Sequence, residues 1–170
     1  MTKLRHLLAT PRMFWCSFLI VFLMQFVMGY VLGDAGADLV PLQLTFDADS
    51  FREIVNSWTP QQLAQYKAHF APDFIYPVMY GFFLACWLAR VLTKFKAGPR
   101  WNAAFALPCG AVLADFFENS FHIALLGSHA NPDPGLVLIA ASFASVKWAI
   151  LALLFACLIV LSLMRVRTFS

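Results

Sequence analysis

Charge is what this 170-residue chain has least of: Lys, Arg, Asp and Glu together make up only 12% of it, too little to clothe a water-soluble domain of that size. No run of basic residues of the kind that tracks a phosphate backbone is present, which argues against nucleic acid as a partner. The four cysteines include no Cys-x-x-Cys pair, so neither a disulfide framework nor dithiol or thiolate-metal chemistry is expected. Gly-x-Ser-x-Gly, His-Glu-x-x-His and a phosphate-cradling glycine loop are missing, and with them the hydrolase, zincin and nucleotide-binding readings. No internal repeat or low-complexity tract is found, and without an inverted repeat an alternating-access transporter has little support.

What fills the chain is apolar. Hydrophobic residues make up 61% and aromatic ones 16%, with 18 Phe, and the mean hydropathy is positive. Four stretches reach the roughly 20 residues that cross a hydrocarbon core: Met13–Gly33, Ala71–Leu92, Trp101–Leu126 and Gly135–Met164. The expected fold is an all-α integral membrane domain, residues 1–170, forming an antiparallel four-helix transmembrane bundle. The first run is longer than the apolar core of about 7–15 residues found in signal peptides, so it reads as a retained helix. Cys16, Cys86, Cys109 and Cys157 fall within the spans, where they read as small apolar packers.

The few basic residues set the orientation. Lys3, Arg5, Arg12, Arg90, Lys94, Lys96, Arg100, Arg165 and Arg167 lie on the N-terminal arm, the second loop and the tail. The positive-inside rule makes those segments cytoplasmic, with both termini inside. The expected location is a bacterial inner membrane.

Residues 34–70 form a long external segment. Phe51, Ile54, Val55 and Trp58 recur at helical spacing behind Asp49 or Ser50 as N-cap, and Thr59-Pro60-Gln61-Gln62 has the pattern of a capping box with Pro at the first helical position. Two short amphipathic helices are expected, either lying on the outer leaflet or folded over the bundle mouth. Pro77 predicts a kink in the second span. Asn131-Pro132-Asp133-Pro134 predicts a turn that holds the third and fourth spans antiparallel and adjacent.

The chemistry sits in the third span. Asp115, Glu118, Asn119 and His122 stand at offsets 0, 3, 4 and 7, one stripe on one helix face. Ionisable groups at membrane depth are costly and usually face a bundle interior or a cavity. Counting helical rise places Asp115 level with Lys147 of the fourth span, and Glu118 level with Gln25 and Tyr80. His122, Tyr76 and Asp73 then lie nearer the outer surface. Polar groups from all four helices thus stack into an outer-half column, read as a cavity open to the outside and closed below. Lys147 is expected to pair with Asp115 or Glu118. Two acids against one ammonium leave one acid free to exchange a proton or accept a ligand's amine. Asp-x-x-Glu-x-x-x-His also has the ingredients of a metal site, and His69 and His129 are external as well. No second helix supplies the Glu-x-x-His of carboxylate dimetal bundles, however, and no metal or other cofactor is expected.

Asp73-x-x-x-Pro77, Asp115-x-x-Glu118-Asn119 and Lys147-Trp148 resemble a group of uncharacterised bacterial four-span membrane proteins, over most of the chain. More remotely, a first span, an external amphipathic segment and an acid opening a Pro-containing second span look like the EXPERA membrane proteins, the sterol isomerase and sigma-2 receptor family. That likeness implies a bundle cavity for a hydrophobic ligand and assigns no residue a role.

Two functions follow as expectations. In the first, the cavity binds a lipid-like or amphiphilic small molecule. Asp115 and Glu118 meet its polar end, Lys147 sets their charge, and Asn119, His122, Asp73, Tyr76, Tyr80 and Gln25 complete the site. Any turnover there is proton transfer or isomerisation, with Glu118 as acid/base beside Asp115. In the second, the chain is an accessory or assembly subunit, with other membrane subunits or further copies of itself as partners. The polar stripe is then interhelix glue.

Overall fold

A computed structural model describes residues 2–164; the basic tail with Arg165 and Arg167 lies outside the described residues. Everything regular in it is helical. The helices are α1 (Thr2–Leu8), α2 (Pro11–Leu32), α3 (Leu39–Gln43), α4 (Ala48–Ser57), α5 (Pro60–Asp73), α6 (Tyr76–Lys94), α7 (Ala106–Gly127) and α8 (Pro134–Leu163), with 3-10 turns at Gly33–Asp38 and Pro99–Phe105.

Among the described residues, three stretches are long and apolar enough to cross a membrane: Pro11–Gln43, Tyr76–Lys94 and Pro134–Leu163. α7 has 22 residues, but it carries Asp115, Glu118, Asn119 and His122 and is not among the three. At about 1.5 Å per residue, α6 is about 28 Å long and α8 about 45 Å.

Local chemistry sets the ends. Thr10 caps α2 with Pro11 in its first turn, and Asp133 caps α8 with Pro134 in the same role. α2 stops at Gly33, whose φ of 49° is a region that costs glycine little. An added Cβ there would meet the Gln65 side chain 2.4 Å away. Thr59 and Gln62 close the expected capping box on α5. The cap of α4 is Asp47, not Asp49 or Ser50: its carboxylate accepts from the Ser50 amide at 2.8 Å, so the helix starts earlier than its apolar periodicity showed.

Two span boundaries also move. The second span does not open at Ala71. α5 runs through Pro72 to Asp73, the chain breaks at Phe74-Ile75, and α6 begins at Tyr76. Pro77 therefore lies in the first turn of α6, where its missing amide is no loss, and the expected kink takes the form of this break one turn before it. α7, the helix expected to be the third span, starts at Ala106 rather than Trp101, because Pro99–Phe105 is wound as a 3-10 turn.

α7 and α8 pack along their length, α6 lies against α7 and α2, and α2 also meets α5. α7 and α8 are thus neighbours, as the turn at Asn131–Pro134 predicted. α2 and α8 have no comparable packing against each other. The side chains of Arg5, Arg90 and Lys94 gather at one end of the bundle. Arg5 reaches the Ala97 carbonyl at 2.9 Å, and Lys94 holds the Ser162 and Met164 carbonyls at 2.7 and 2.8 Å, satisfying groups the end of α8 leaves open.

At the opposite end α4 and α5 fold over the bundle. Phe51, Val55, Trp58, Tyr66 and Phe70 form one core with Leu125, Leu126, Val137 and Ala140 of α7 and α8. Of the two placements expected for the amphipathic pair, the structure has the cap. A second core, built from Tyr80, Phe83, Leu84, Leu88, Ala111, Leu154 and Leu158, joins α6, α7 and α8 further along. Cys86 is buried, whereas Cys16, Cys109 and Cys157 are exposed.

Candidate functional site

The gap between α2 and α8 is a cleft of about 680 Å³. Val21, Gln25, Met28 and Gly29 form one wall and Trp148, Leu151, Ala152 and Phe155 the other. Tyr76, Tyr80 and Phe83 of α6 are its floor, and Gly33, Gly36, Leu39 and Gln43 roof its capped end. Trp148 Nε1 donates to Gln43 Oε1 at 3.3 Å, tying α8 to that roof. Gln25, Gly29, Ala152 and Phe155 are exposed because the two walls do not pack together. The opening is therefore sideways, between two of the most apolar helices. The expected mouth at the outer end is covered by α3, α4 and α5.

Polar groups meet at one end of this apolar cleft. Lys147 Nζ lies 2.7 Å from Glu118 Oε2 and 3.3 Å from Asp115 Oδ1. Tyr80 donates to Asp115 Oδ2 at 2.9 Å, and Tyr76 donates to Gln25 Oε1 at 2.6 Å, fastening α6 to α2. Asn119 Nδ2 donates to the Asp73 backbone carbonyl at 3.2 Å, anchoring the end of α5 on α7. The helical stripe of Asp115, Glu118, Asn119 and His122 is inward-facing, and all four residues are buried.

The nine expected site residues divide into two groups. Gln25, Asp73, Tyr76, Tyr80, Asp115 and Lys147 line the cleft; Glu118, Asn119 and His122 do not. Glu118 is 0% exposed and sits behind Lys147, so the expectation that it meets a ligand directly is corrected. The reason is helical phase: within the stripe, Asp115 is the member turned toward α6 and the gap, while the following turn points under the α4–α5 cap. His122 belongs to that sealed region, with Nδ1 3.0 Å from the Tyr66 hydroxyl.

Sequence reasoning did not place His69, Tyr66, Gln43 or Trp148 in the site. His69 is 1% exposed and stands beside Asp73, with Nε2 3.6 Å from Oδ2. The spacing His69-x-x-x-Asp73 was a usable signal once α5 is carried through Pro72. Burial holds the His69 imidazole down, to about 4. The Asp73 carboxyl, at the end of α5 and outside α6, is pushed up to about 7 by burial and then by the charge of Asp115. Glu118 Oε1, His69 Nε2 and His122 Nε2 are buried without hydrogen-bond partners. Among the described residues, no three His, Cys, Asp or Glu side chains are placed to hold a metal ion.

No family model, curated protein or solved structure matches this chain.

Proposed function

We propose that this is a four-span membrane protein, with α7 as the fourth crossing, whose cleft binds a lipid-like or amphiphilic small molecule entering sideways between α2 and α8. The basic residues gathered at one end put that end in the cytoplasm, with both chain termini, by the positive-inside rule; a bacterial inner membrane suits this orientation.

One observation carries the reading. A mostly apolar hollow of about 680 Å³ ends on Asp73, Asp115 and Lys147, the pattern of a site that buries an apolar body and orients one polar end. Its volume falls within the roughly 300–1,000 Å³ usual for small-molecule sites. Asp73 and Asp115 would meet the polar end, Tyr76, Tyr80 and Gln25 would direct it, and Lys147 would hold the charge of Asp115. Glu118, Asn119 and His122 would support these from behind. The chemistry available is proton transfer, as in an isomerisation, with the cleft-facing acids as acid/base.

Native mass spectrometry of the detergent-extracted protein tests this. The wild type should retain a small amphiphile. Gly29→Leu should lose it, because Gly29 lines the cleft and, with open space around an added Cβ, a bulky side chain there would narrow it. Equal retention by the variant would overturn the reading. Extraction of an empty chain in fixed stoichiometry with other subunits would favour an accessory role instead.

A further inference from the structure

Asp73 and His69 are four residues apart on α5, so they share a helix face. Hydrogen-bond accounting fixes the state of His69. Its Nδ1 meets the backbone carbonyl of Tyr66, an oxygen that only accepts, so Nδ1 carries a hydrogen. A neutral imidazole then presents a bare lone pair at Nε2. That atom is buried without a partner and faces Asp73 Oδ2 at 3.6 Å. An ionised carboxylate and an imidazole lone pair are both acceptors, and placed face to face in the interior they leave each other unsatisfied. One proton between them removes the conflict.

Neighbouring donors are already engaged. Lys147 bridges Glu118 and Asp115, Asn119 bonds the Asp73 backbone carbonyl, and Tyr66 is paired with His122. The titratable groups around the pair are Tyr66 on α5, Tyr76 and Tyr80 on α6, Asp115, Glu118 and His122 on α7, and Lys147 on α8.

We infer that Asp73 and His69 hold one proton between them, resting on the Asp73 carboxyl that faces His69 Nε2, and that this pair is the proton-exchanging end of the cleft. Burial acts on both members in the sense this requires, pushing Asp73 up and holding His69 down. Asp73 lines the cleft and His69 does not, so His69 is a positioning residue acting through Asp73.

The step this permits is balanced and needs no oxidant. A basic group at the polar end of an amphiphile, such as an amine or an enolate oxygen, takes the proton from the Asp73 carboxyl, which lines the cleft. The products are the ligand's conjugate acid and the Asp73 carboxylate, with His69 neutral throughout; the reverse step returns the proton. This use of the proton rests on the cleft-binding reading, but its resting place does not.

The test therefore adds no ligand. Infrared and histidine nitrogen NMR spectra are taken on the full chain in lipid nanodiscs at neutral pH. The expected result is a protonated-carboxyl carbonyl band that disappears in Asp73→Asn and shifts in His69→Phe, with His69 protonated on Nδ1 alone. The NMR reading on the unsubstituted chain stands even if a variant fails to fold. A band unchanged in Asp73→Asn, or a His69 protonated on both nitrogens, would overturn the inference. A proton found on Asp73 in a chain that retains no amphiphile would leave this inference standing and sink the binding reading.

Discussion

Replacing Lys147 by Met tests the polar centre most severely. The side chain keeps its apolar stem and loses the ammonium that lies 2.7 Å from Glu118 and 3.3 Å from Asp115. At an effective dielectric of about 20, each contact is worth about 5–6 kcal/mol of gross attraction, most of it offset by taking three charged groups out of water. Removing one partner leaves that desolvation unopposed, so the expected loss is about 3–5 kcal/mol. Glu118 bears most of it, being 0% exposed with Oε1 already unpartnered, whereas Asp115 keeps its bond from Tyr80. Adding Glu118→Gln to the Lys147→Met chain removes the stranded charge and should restore at least half the loss. Denaturant unfolding in mixed micelles measures both variants. A Lys147→Met chain as stable as wild type, or a double variant whose losses simply add, would refute the argument that this cluster is a mutually dependent buried ion set.

The Asp73–His69 pair makes a signed prediction about pH. His69 alone, lowered from 6.5 to about 4, is a group whose unfolded state binds more protons in that window. Its roughly 3 kcal/mol is therefore present above pH 6.5 and lost as pH falls toward 4. Asp73 alone, raised from 3.8 to about 7, binds more protons when folded. Its roughly 4 kcal/mol is present below pH 3.8 and lost as pH rises toward 7. The two slopes nearly cancel in the wild type, so Asp73→Asn should become acid-sensitive and His69→Gln alkali-sensitive in unfolding titrations across that range; equal slopes in both variants would contradict the assignment. Gly81→Ala should cost about 1–3 kcal/mol in the same assay, because its Cβ would fall 2.4 Å from Val112 Cγ2 on α7 and a β-branched side chain in a helix has little rotamer freedom to yield. Thr59→Ala removes both hydroxyl bonds of the α5 capping box and should cost about 1 kcal/mol, seen as faster amide exchange in the first turn of α5.

How much of this was legible depends on which physical signal each element carries. The α2, α6 and α8 stretches could be read from hydropathy alone, and the capping box of α5 from four consecutive residues, because both are local. The inward stripe from Asp115 to His122 was also legible, since helical period and the cost of membrane burial point the same way. The cleft was not. It exists because α2 leans on α6 and α5 and leaves α8 apart, a packing outcome with no counterpart in sequence order. The division of the stripe, with Asp115 in the cleft and Glu118 behind Lys147, turns on the rotation of α7 against two neighbours. His69 was hidden by a boundary: Pro72 looked like the start of a span, yet α5 continues through it for one more residue, and that residue carries the carboxylate.

The central claim is a ligand lying sideways between α2 and α8 with its polar end on Asp73 and Asp115. An experimental structure of the protein extracted with its native lipids tests it most directly. Elongated density along Gln25, Gly29, Leu151 and Phe155, ending within hydrogen-bond reach of the two carboxyl groups, is the predicted result. Walls closed side chain to side chain, with α2 packed on α8, would contradict it.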